Sequence, residues 1–306
     1  MVRRWVAGNM PADRIREFQL MQRLFHQAAV LCLLATLFAC RAEAGAEAIQ
    51  PQPLLDNGFH AMYQLNFDGA REKFTEYMIA HPDDPLGHAS LAASYLFEEF
   101  NSKGVFTSEF FLDDKKLLGG VDGPPDDQRR IAFFSANNRA REMAQKVLKS
   151  NSRDVNALFV LTIADGMESD YDALIAKRQL ASLKLMRQAE ATATQLLAID
   201  PGAQDANVAV GAATYIIGCM PGYKRAFLWM GGIHGDRERG MNLMQQAALH
   251  GHYLQTFAKA MLALASLREK QPERARSLFA ELAQEYPENS VFVRELALAE
   301  KRVARQ

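Results

Sequence analysis

Residues 54–82, LLDNGFHAMYQLNFDGAREKFTEYMIAHP, decide the fold of this 306-residue chain. Within them, Gly58, Ala70, Phe74 and Pro82 follow one another at intervals of twelve, four and eight residues. Two small residues at this distance allow a pair of antiparallel helices to approach closely, and an aromatic ring fills the space behind the crossing. Proline has no N–H for a helical hydrogen bond, so it ends the second helix. The stretch therefore predicts a helical hairpin.

The same spacing returns near the C-terminus, where Ala275, Phe279 and Pro287 repeat the second half of the pattern. Partial copies lie between these two units: Ala140 with Ala144; Ala189 with Pro201 and Gly211; Gly240 with Ala247 and Gly251. A pattern that recurs along a chain indicates stacked copies of one supersecondary unit. We therefore expect a row of helix pairs rather than a globular bundle.

This pattern resembles the tetratricopeptide repeat, a helix–turn–helix unit of about 34 residues. Residues 224–251, KRAFLWMGGIHGDRERGMNLMQQAALHG, with the unit that follows them, are also similar to exported bacterial tetratricopeptide proteins. The resemblance covers about residues 155–300, and over this range the chain is more faintly similar to the eukaryotic tetratricopeptide repeat 39 family. The resemblance implies a scaffold or adaptor and brings no catalytic residues.

The predicted fold class is all-α, with antiparallel helix pairs stacked as an irregular tetratricopeptide-like α-solenoid. The copies are unevenly spaced, which indicates insertions in the middle of the chain. We predict a long helix at 170–186, a Gly-rich segment at 218–235 and a loop at 103–127. The Asp236 side chain is placed to cap the helix that carries Gly240.

The first 44 residues have the order of a bacterial export signal. Basic residues up to Arg23 precede an uncharged apolar run at 28–39, and residues 42–44 (AEA) offer small residues for cleavage. The run is too short for a stable membrane-spanning helix. The expected domains are therefore a signal peptide at 1–44 and a helical repeat domain at 45–306, exported and either periplasmic or anchored to the outer membrane.

A second route of processing stays open. Leu37-Phe38-Ala39-Cys40 resembles a lipobox, in which the cysteine is acylated and becomes the new N-terminus. Phe38 is bulkier than that motif usually has, so simple cleavage and lipidation at Cys40 remain alternatives.

Charge and motifs exclude several function classes. Residues 45–306 carry 29 basic and 33 acidic side chains, a net charge of −4, and this gives no electrostatic basis for binding nucleic acid. His250 and His252 form an H-x-H pair without a third ligand at a fixed spacing, so we expect no metal site. The sequence contains no nucleophile motif or phosphate-binding loop. It therefore predicts a protein without cofactors that is not an enzyme.

Partner binding is expected in the concave groove that the first helices of stacked pairs line. With Gly58 fixed at the helix crossing, Phe59 and Tyr63 share one side of the first helix, and Phe97 lies one repeat after Tyr63. Large aromatic residues dominate the binding energy of many interfaces. We predict that these three residues bind the partner; the alternative is that they are ordinary packing residues between repeats.

The predicted function is a non-catalytic protein–protein interaction module or scaffold of the bacterial cell envelope. Its partner is a protein or peptide, and its contact with membrane is limited to an N-terminal lipid anchor. The alternative is an enzyme or metal-binding protein that uses the central inserted segments. A scaffold predicts a long groove, whereas an enzyme predicts a cleft with convergent polar groups in those segments.

Overall fold

A computed structural model describes residues 52–230 and 232–305, apart from the side chain of Phe227. The predicted signal peptide at 1–44 and Cys40 lie outside the described residues. The described residues belong to one compact unit.

The described residues form fourteen helices and no strand. They are α1 (Pro53–Tyr63), α2 (Phe67–Ala80), α3 (Pro85–Ser102), α4 (Ser108–Leu112), α5 (Asp114–Gly119), α6 (Asp127–Ser150), α7 (Val155–Leu174), α8 (Gln179–Ile199), α9 (Ala206–Cys219), α10 (Gly222–Met230), α11 (Arg237–His250), α12 (Gln255–Arg268), α13 (Pro272–Glu285) and α14 (Ser290–Val303).

Five antiparallel pairs stack in chain order: α1 on α2, α3 on α6, α7 on α8, α9 on α11 and α12 on α13, while α14 covers α13. The first helices of the first four pairs touch one another in order, and the Tyr215 hydroxyl of α9 donates to the Ala265 carbonyl of α12 at 3.3 Å. We call this side of the stack the inner side, lined by α1, α3, α7, α9 and α12. The predicted fold class, an irregular tetratricopeptide-like α-solenoid, is confirmed.

The first pair has the predicted register. The Asn66 side chain accepts a hydrogen bond from the Gly69 amide and caps α2, which ends at Ala80, two residues before Pro82. A Cβ atom on Gly58 would lie 2.3 Å from the Phe74 ring, so α1 and α2 cross at a point where only glycine fits.

The two helices of the fourth pair cross at the small residues of two partial copies of the pattern. A Cβ on Gly211 would lie 3.0 Å from the Gly240 carbonyl oxygen, so α9 and α11 approach backbone to backbone. The carboxylate of Asp236 accepts a hydrogen bond from the Arg239 amide, which confirms the predicted cap of α11. Ala275 and Phe279 are buried in the fifth pair, as the pattern predicts.

The predicted long helix at 170–186 is wrong, because α7 ends at Leu174 and α8 begins at Gln179. Lys177 has a left-handed backbone, with φ of 56°. The Arg178 amide donates to the Asp172 carbonyl at 2.7 Å, and the Arg178 guanidinium pairs with the buried Asp172 carboxylate. These two contacts hold a turn that contains neither glycine nor proline. Residues 170–186 therefore span the end of α7, this turn and the start of α8.

The segment 103–127 is more ordered than the predicted loop. It contains α4 and α5, whose first turns are capped by the side chains of Thr107 and Asp113. Phe110 and Phe111 of α4 are buried, and Arg268 of α12 donates to the Phe111 carbonyl at 3.0 Å. The insertion therefore folds onto the inner side and fills part of the expected groove.

The two ends of the stack also meet. The Asn289 side chain, between α13 and α14, donates to the Tyr63 carbonyl at 2.7 Å. His252 Nε2, in the loop before α12, lies 2.7 Å from Asp56 Oδ1 of α1. The C-terminal helices therefore cover the inner side of the first pair. Within the described part of the chain, no helix has the length and apolarity needed to cross a bilayer.

Candidate functional site

The three predicted partner-binding residues lie together on the inner side, but they are packed. Phe59 is 4% exposed and Tyr63 is 5% exposed, while Phe97 is partly buried. The Phe59 ring stacks on Tyr253 with centroids 5.0 Å apart, and Phe97 meets the edge of Phe257 at 5.4 Å.

The open groove predicted at these residues is therefore not found, and the physical reason is the contact between the two ends of the stack. Tyr63 and Phe97 do line a shallow apolar pocket of about 30 Å³, next to Phe292 of α14. Their role in partner binding stays a prediction, and it now requires that the C-terminal helices move away from α1.

A larger cavity of about 140 Å³ opens on the inner side between α7, α8 and α9. First helices supply much of its wall, α5 of the insertion supplies another part, and Phe257 of α12 also lines it. Most of the lining is apolar: Leu117, Leu118, Ala173, Leu174, Leu183, Met186, Ala189, Val208, Ala209, Ala212, Ala213, Ile216, Ile217, Met220 and Phe257.

Asp170 supplies the one ionisable side chain among the described lining residues. Water reaches this side chain through the cavity mouth, but no described residue forms an ion pair or hydrogen bond with its carboxyl group. Asp170 is exposed to solvent at this mouth, and the apolar lining around it raises its pKa from 3.8 to about 7.

Two features of α7 shape the cavity beside Asp170. Gly166 lies one turn earlier on the same face, and a Cβ atom there would meet nothing within 4 Å. The Ser169 hydroxyl donates to the Ser182 carbonyl at 3.0 Å and holds α7 against α8. The absence of a side chain at Gly166 leaves the cavity open. The hydrogen bond between Ser169 and Ser182 holds the two helices that form its wall together.

The neighbouring carboxylates of α7 are all paired, and this sets Asp170 apart. Arg141 of α6 binds Asp165 at 2.9 Å and Glu168 at 2.7 Å, and Asp172 pairs with Arg178. Sequence reasoning missed Asp170, although helical periodicity contains the signal. The three paired carboxylates share one face, whereas Asp170 falls on the opposite face with small residues.

The other groups considered from the sequence are apart from this cavity. Cys219 is a buried free thiol. His252 pairs with Asp56, while His250 lies at the end of α11. Among the described residues, no three metal-ligating side chains come together in a geometry for a metal ion.

No protein-family model matches the sequence, and no curated protein matches it. Among solved structures, the chain is similar to the crystal structure of a thermophilic TPR protein from Thermus thermophilus. The sequence identity is 15%, the match covers 80% of this chain and 96% of that chain, and the TM-score is 0.43. The assignment of the fold therefore rests on the helix crossings described above.

Proposed function

We propose that the chain is a non-catalytic interaction scaffold of the bacterial cell envelope, and that it holds a segment of a partner protein in the Asp170 cavity. The unpaired carboxyl group of Asp170 in an apolar cavity is the observation that carries this proposal. First helices of stacked pairs form the binding surface in many repeat proteins. Leu183, Met186 and Ile216 would contact an apolar side chain of the partner.

Asp170 would give this binding its specificity. A carboxylate in apolar surroundings is stabilised by a ligand that brings a positive charge or a strong hydrogen-bond donor. The partner segment that fits is therefore apolar and carries a lysine, an arginine or a free amino group. A purely apolar ligand would leave the carboxyl group without a partner in a drier cavity, which is unfavourable.

Binding is favoured over catalysis because Asp170 stands alone. Nucleophilic catalysis needs a nucleophile beside a base, and acid–base catalysis commonly uses two titratable groups of different pKa. The described lining of the cavity contains no histidine, cysteine, lysine or arginine. An enzyme that uses the central insertions would need chemistry that this lining does not provide.

The envelope location rests on the leader sequence. The apolar run at 28–39 and the small residues at 42–44 support export, and the Cys40 lipobox supports attachment to the outer membrane as the alternative to free release. The intact mass of the exported protein tests whether the leader is removed and whether Cys40 carries a lipid.

The binding proposal is tested by comparing three full-length proteins as baits for an envelope extract. Gly166→Leu places a side chain in the open space of the cavity, whereas Gly119→Leu adds the same side chain at an exposed glycine of α5, where it also meets nothing within 4 Å. We expect a partner captured by the parent and by Gly119→Leu, but not by Gly166→Leu, at parent-like melting temperatures.

Asp170→Asn provides the second comparison. It keeps the shape of the side chain and removes the charge, so it should weaken capture of a basic segment strongly. If Gly166→Leu captures the same proteins as the parent, the cavity is not the binding site and the proposal fails.

A further inference from the structure

The short helix α10 carries an unusual amount of apolar surface in contact with water. Tyr223, Trp229 and Met230 are 73%, 65% and 74% exposed. Other strongly exposed large apolar residues of the described chain occur one per helix: Ile79, Ile131, Leu180, Leu249 and Val293. Scattered single residues are normal on protein surfaces, whereas three on one nine-residue helix mark an interaction surface.

The orientation of α10 explains why these side chains point outwards. Tyr223 and Met230 are seven residues apart and share a helix face, while Leu228 lies on the opposite face and is buried against the body of the protein. Leu228 thus packs the helix against the body of the protein, while Tyr223 and Met230 are presented to solvent and the Trp229 ring meets the His234 ring with centroids 6.5 Å apart.

Both ends of the segment that contains α10 are fixed to the end of α9. A Cβ on Gly235 would lie 2.4 Å from the Gly218 nitrogen, so the returning chain packs directly against the backbone of α9. Arg225 and Arg237 both donate to the Gly218 carbonyl, at 3.2 Å and 3.0 Å. These contacts hold the outward orientation of α10, so the exposed face is a constant feature of the fold.

The charges on α10 indicate what covers this face. The helix contains Lys224 and Arg225 and no acidic residue, in a chain whose residues 45–306 carry a net charge of −4. Lys224 is exposed and forms no ion pair with a described residue. Tryptophan and tyrosine beside basic residues are typical of helices that lie in the interface of an anionic bilayer, where the rings sit at the level of the headgroups.

We propose that α10 docks the protein on an anionic lipid bilayer, lying flat in the interface with Tyr223, Trp229 and Met230 among the lipids. Lys224 then faces the lipid phosphates, while Arg225 stays hydrogen-bonded to the Gly218 carbonyl. One nine-residue helix has little apolar area, so the attachment is reversible and weakens as ionic strength rises. The proposal is independent of the Asp170 cavity and of processing at Cys40.

The chain offers a reporter inside this surface. It contains two tryptophans, Trp5 and Trp229, so Trp5→Phe in the full chain leaves Trp229 as its single tryptophan. Vesicles of phosphatidylglycerol and phosphatidylcholine are added to this protein. We expect the emission of Trp229 to move to shorter wavelength and to be quenched by brominated lipid acyl chains. Vesicles of phosphatidylcholine alone should give a much smaller change.

Matched variants then test the surface. Tyr223→Ser with Met230→Ser, or Lys224→Glu alone, should each weaken the response at least several-fold while the melting temperature stays close to the parent's. Ile131→Ser with Leu180→Ser removes two equally exposed apolar residues on other helices, and it should leave the response unchanged.

Two results would overturn the proposal. If the protein sediments with anionic vesicles but the emission of Trp229 does not change, the chain binds lipid elsewhere, for example through its apolar run at 28–39. If the emission moves to shorter wavelength with protein concentration and without vesicles, the face of α10 binds a second copy of the chain instead.

Discussion

The hydroxyl group of Tyr63 donates a 2.9 Å hydrogen bond to the backbone carbonyl of Tyr253, across 190 residues of sequence. The two rings belong to an aromatic cluster that joins α1 to the loop before α12. Burial raises the pKa of the Tyr63 hydroxyl well above its ordinary value, so this group stays protonated and keeps donating at any pH at which the protein is studied. The first helix is therefore held by the last third of the chain.

The first prediction concerns this cluster. Phe59→Ala removes a buried ring that contacts both Phe74 and Tyr253, and it should lower the free energy of unfolding by about 3–5 kcal/mol. Phe97→Ala should cost less, because Phe97 is partly exposed. Urea unfolding measures both. Ile131→Ala, at an exposed position, is the control and should change stability by less than about 0.5 kcal/mol. If Phe59→Ala is as stable as the parent but no longer captures the partner, Phe59 binds the partner in the groove and is not a packing residue.

The second prediction compares two glycines in first helices. Gly58→Ala brings a Cβ within 2.3 Å of the buried Phe74 ring, and the displacement of that ring should cost about 1–3 kcal/mol. Gly166→Ala meets open space in the middle of α7, so the higher helix propensity of alanine should stabilise the protein by up to about 1 kcal/mol. Thermal melts of the two variants should move in opposite directions. If both fall alike, the cavity beside Gly166 is not open in solution.

The third prediction tests the repeat register at both ends of the stack. Ala70 and Ala275 are fully buried at the helix crossings of the first and fifth pairs. Ala70→Leu or Ala275→Leu forces extra atoms into these contacts and should cost about 1–3 kcal/mol each. Chemical denaturation provides the measurement. Parent-like midpoints for both variants would show that these alanines do not lie at close crossings.

The fourth prediction concerns the leader. Residues up to about Ala44 should be missing from the exported protein, and intact-mass measurement after export decides between the two routes. Simple cleavage gives an unmodified chain, whereas a diacylglyceryl adduct on Cys40 selects lipidation. A mass that fits the full chain contradicts both. Cys40→Ser separates them further, because it should abolish attachment to the membrane only in the lipidated case.

The helix pairs could be predicted because their determinants are local. Gly58, Ala70 and Phe74 lie within one hairpin, and their spacing alone specifies the crossing. The turn after α7 could not be predicted in the same way. It depends on Arg178 reaching the buried carboxylate of Asp172, a contact that is not marked by turn-forming residues.

The packing that fills the inner side could not be predicted, because it comes from distant parts of the chain. The glycines and prolines around α4 indicate a loop, but Phe110 and Phe111 are buried by contacts with helices that lie far away in sequence. In the same way, periodicity places Asp170 on a face with small residues, yet only the packing of α8 and α9 shows that this face lines a cavity.

The last prediction is the pH dependence that Asp170 imposes. Its pKa is raised from 3.8 to about 7 by apolar surroundings, so the folded protein prefers the protonated carboxyl group. The folded state therefore binds more protons than the unfolded state between these two values, and the Asp170 contribution to stability falls as pH rises from about 4 to about 7.

Asp170→Asn removes the titration. It should stabilise the protein at pH 8 and change little near pH 4, measured as the difference between urea midpoints of variant and parent. Asp172→Asn is the matched control, because Asp172 is ion-paired and buried, and its loss should destabilise the protein at pH 8. An Asp170→Asn difference that stays constant from pH 4 to pH 8 would show that water solvates this carboxyl group freely and that the cavity does not shift its titration.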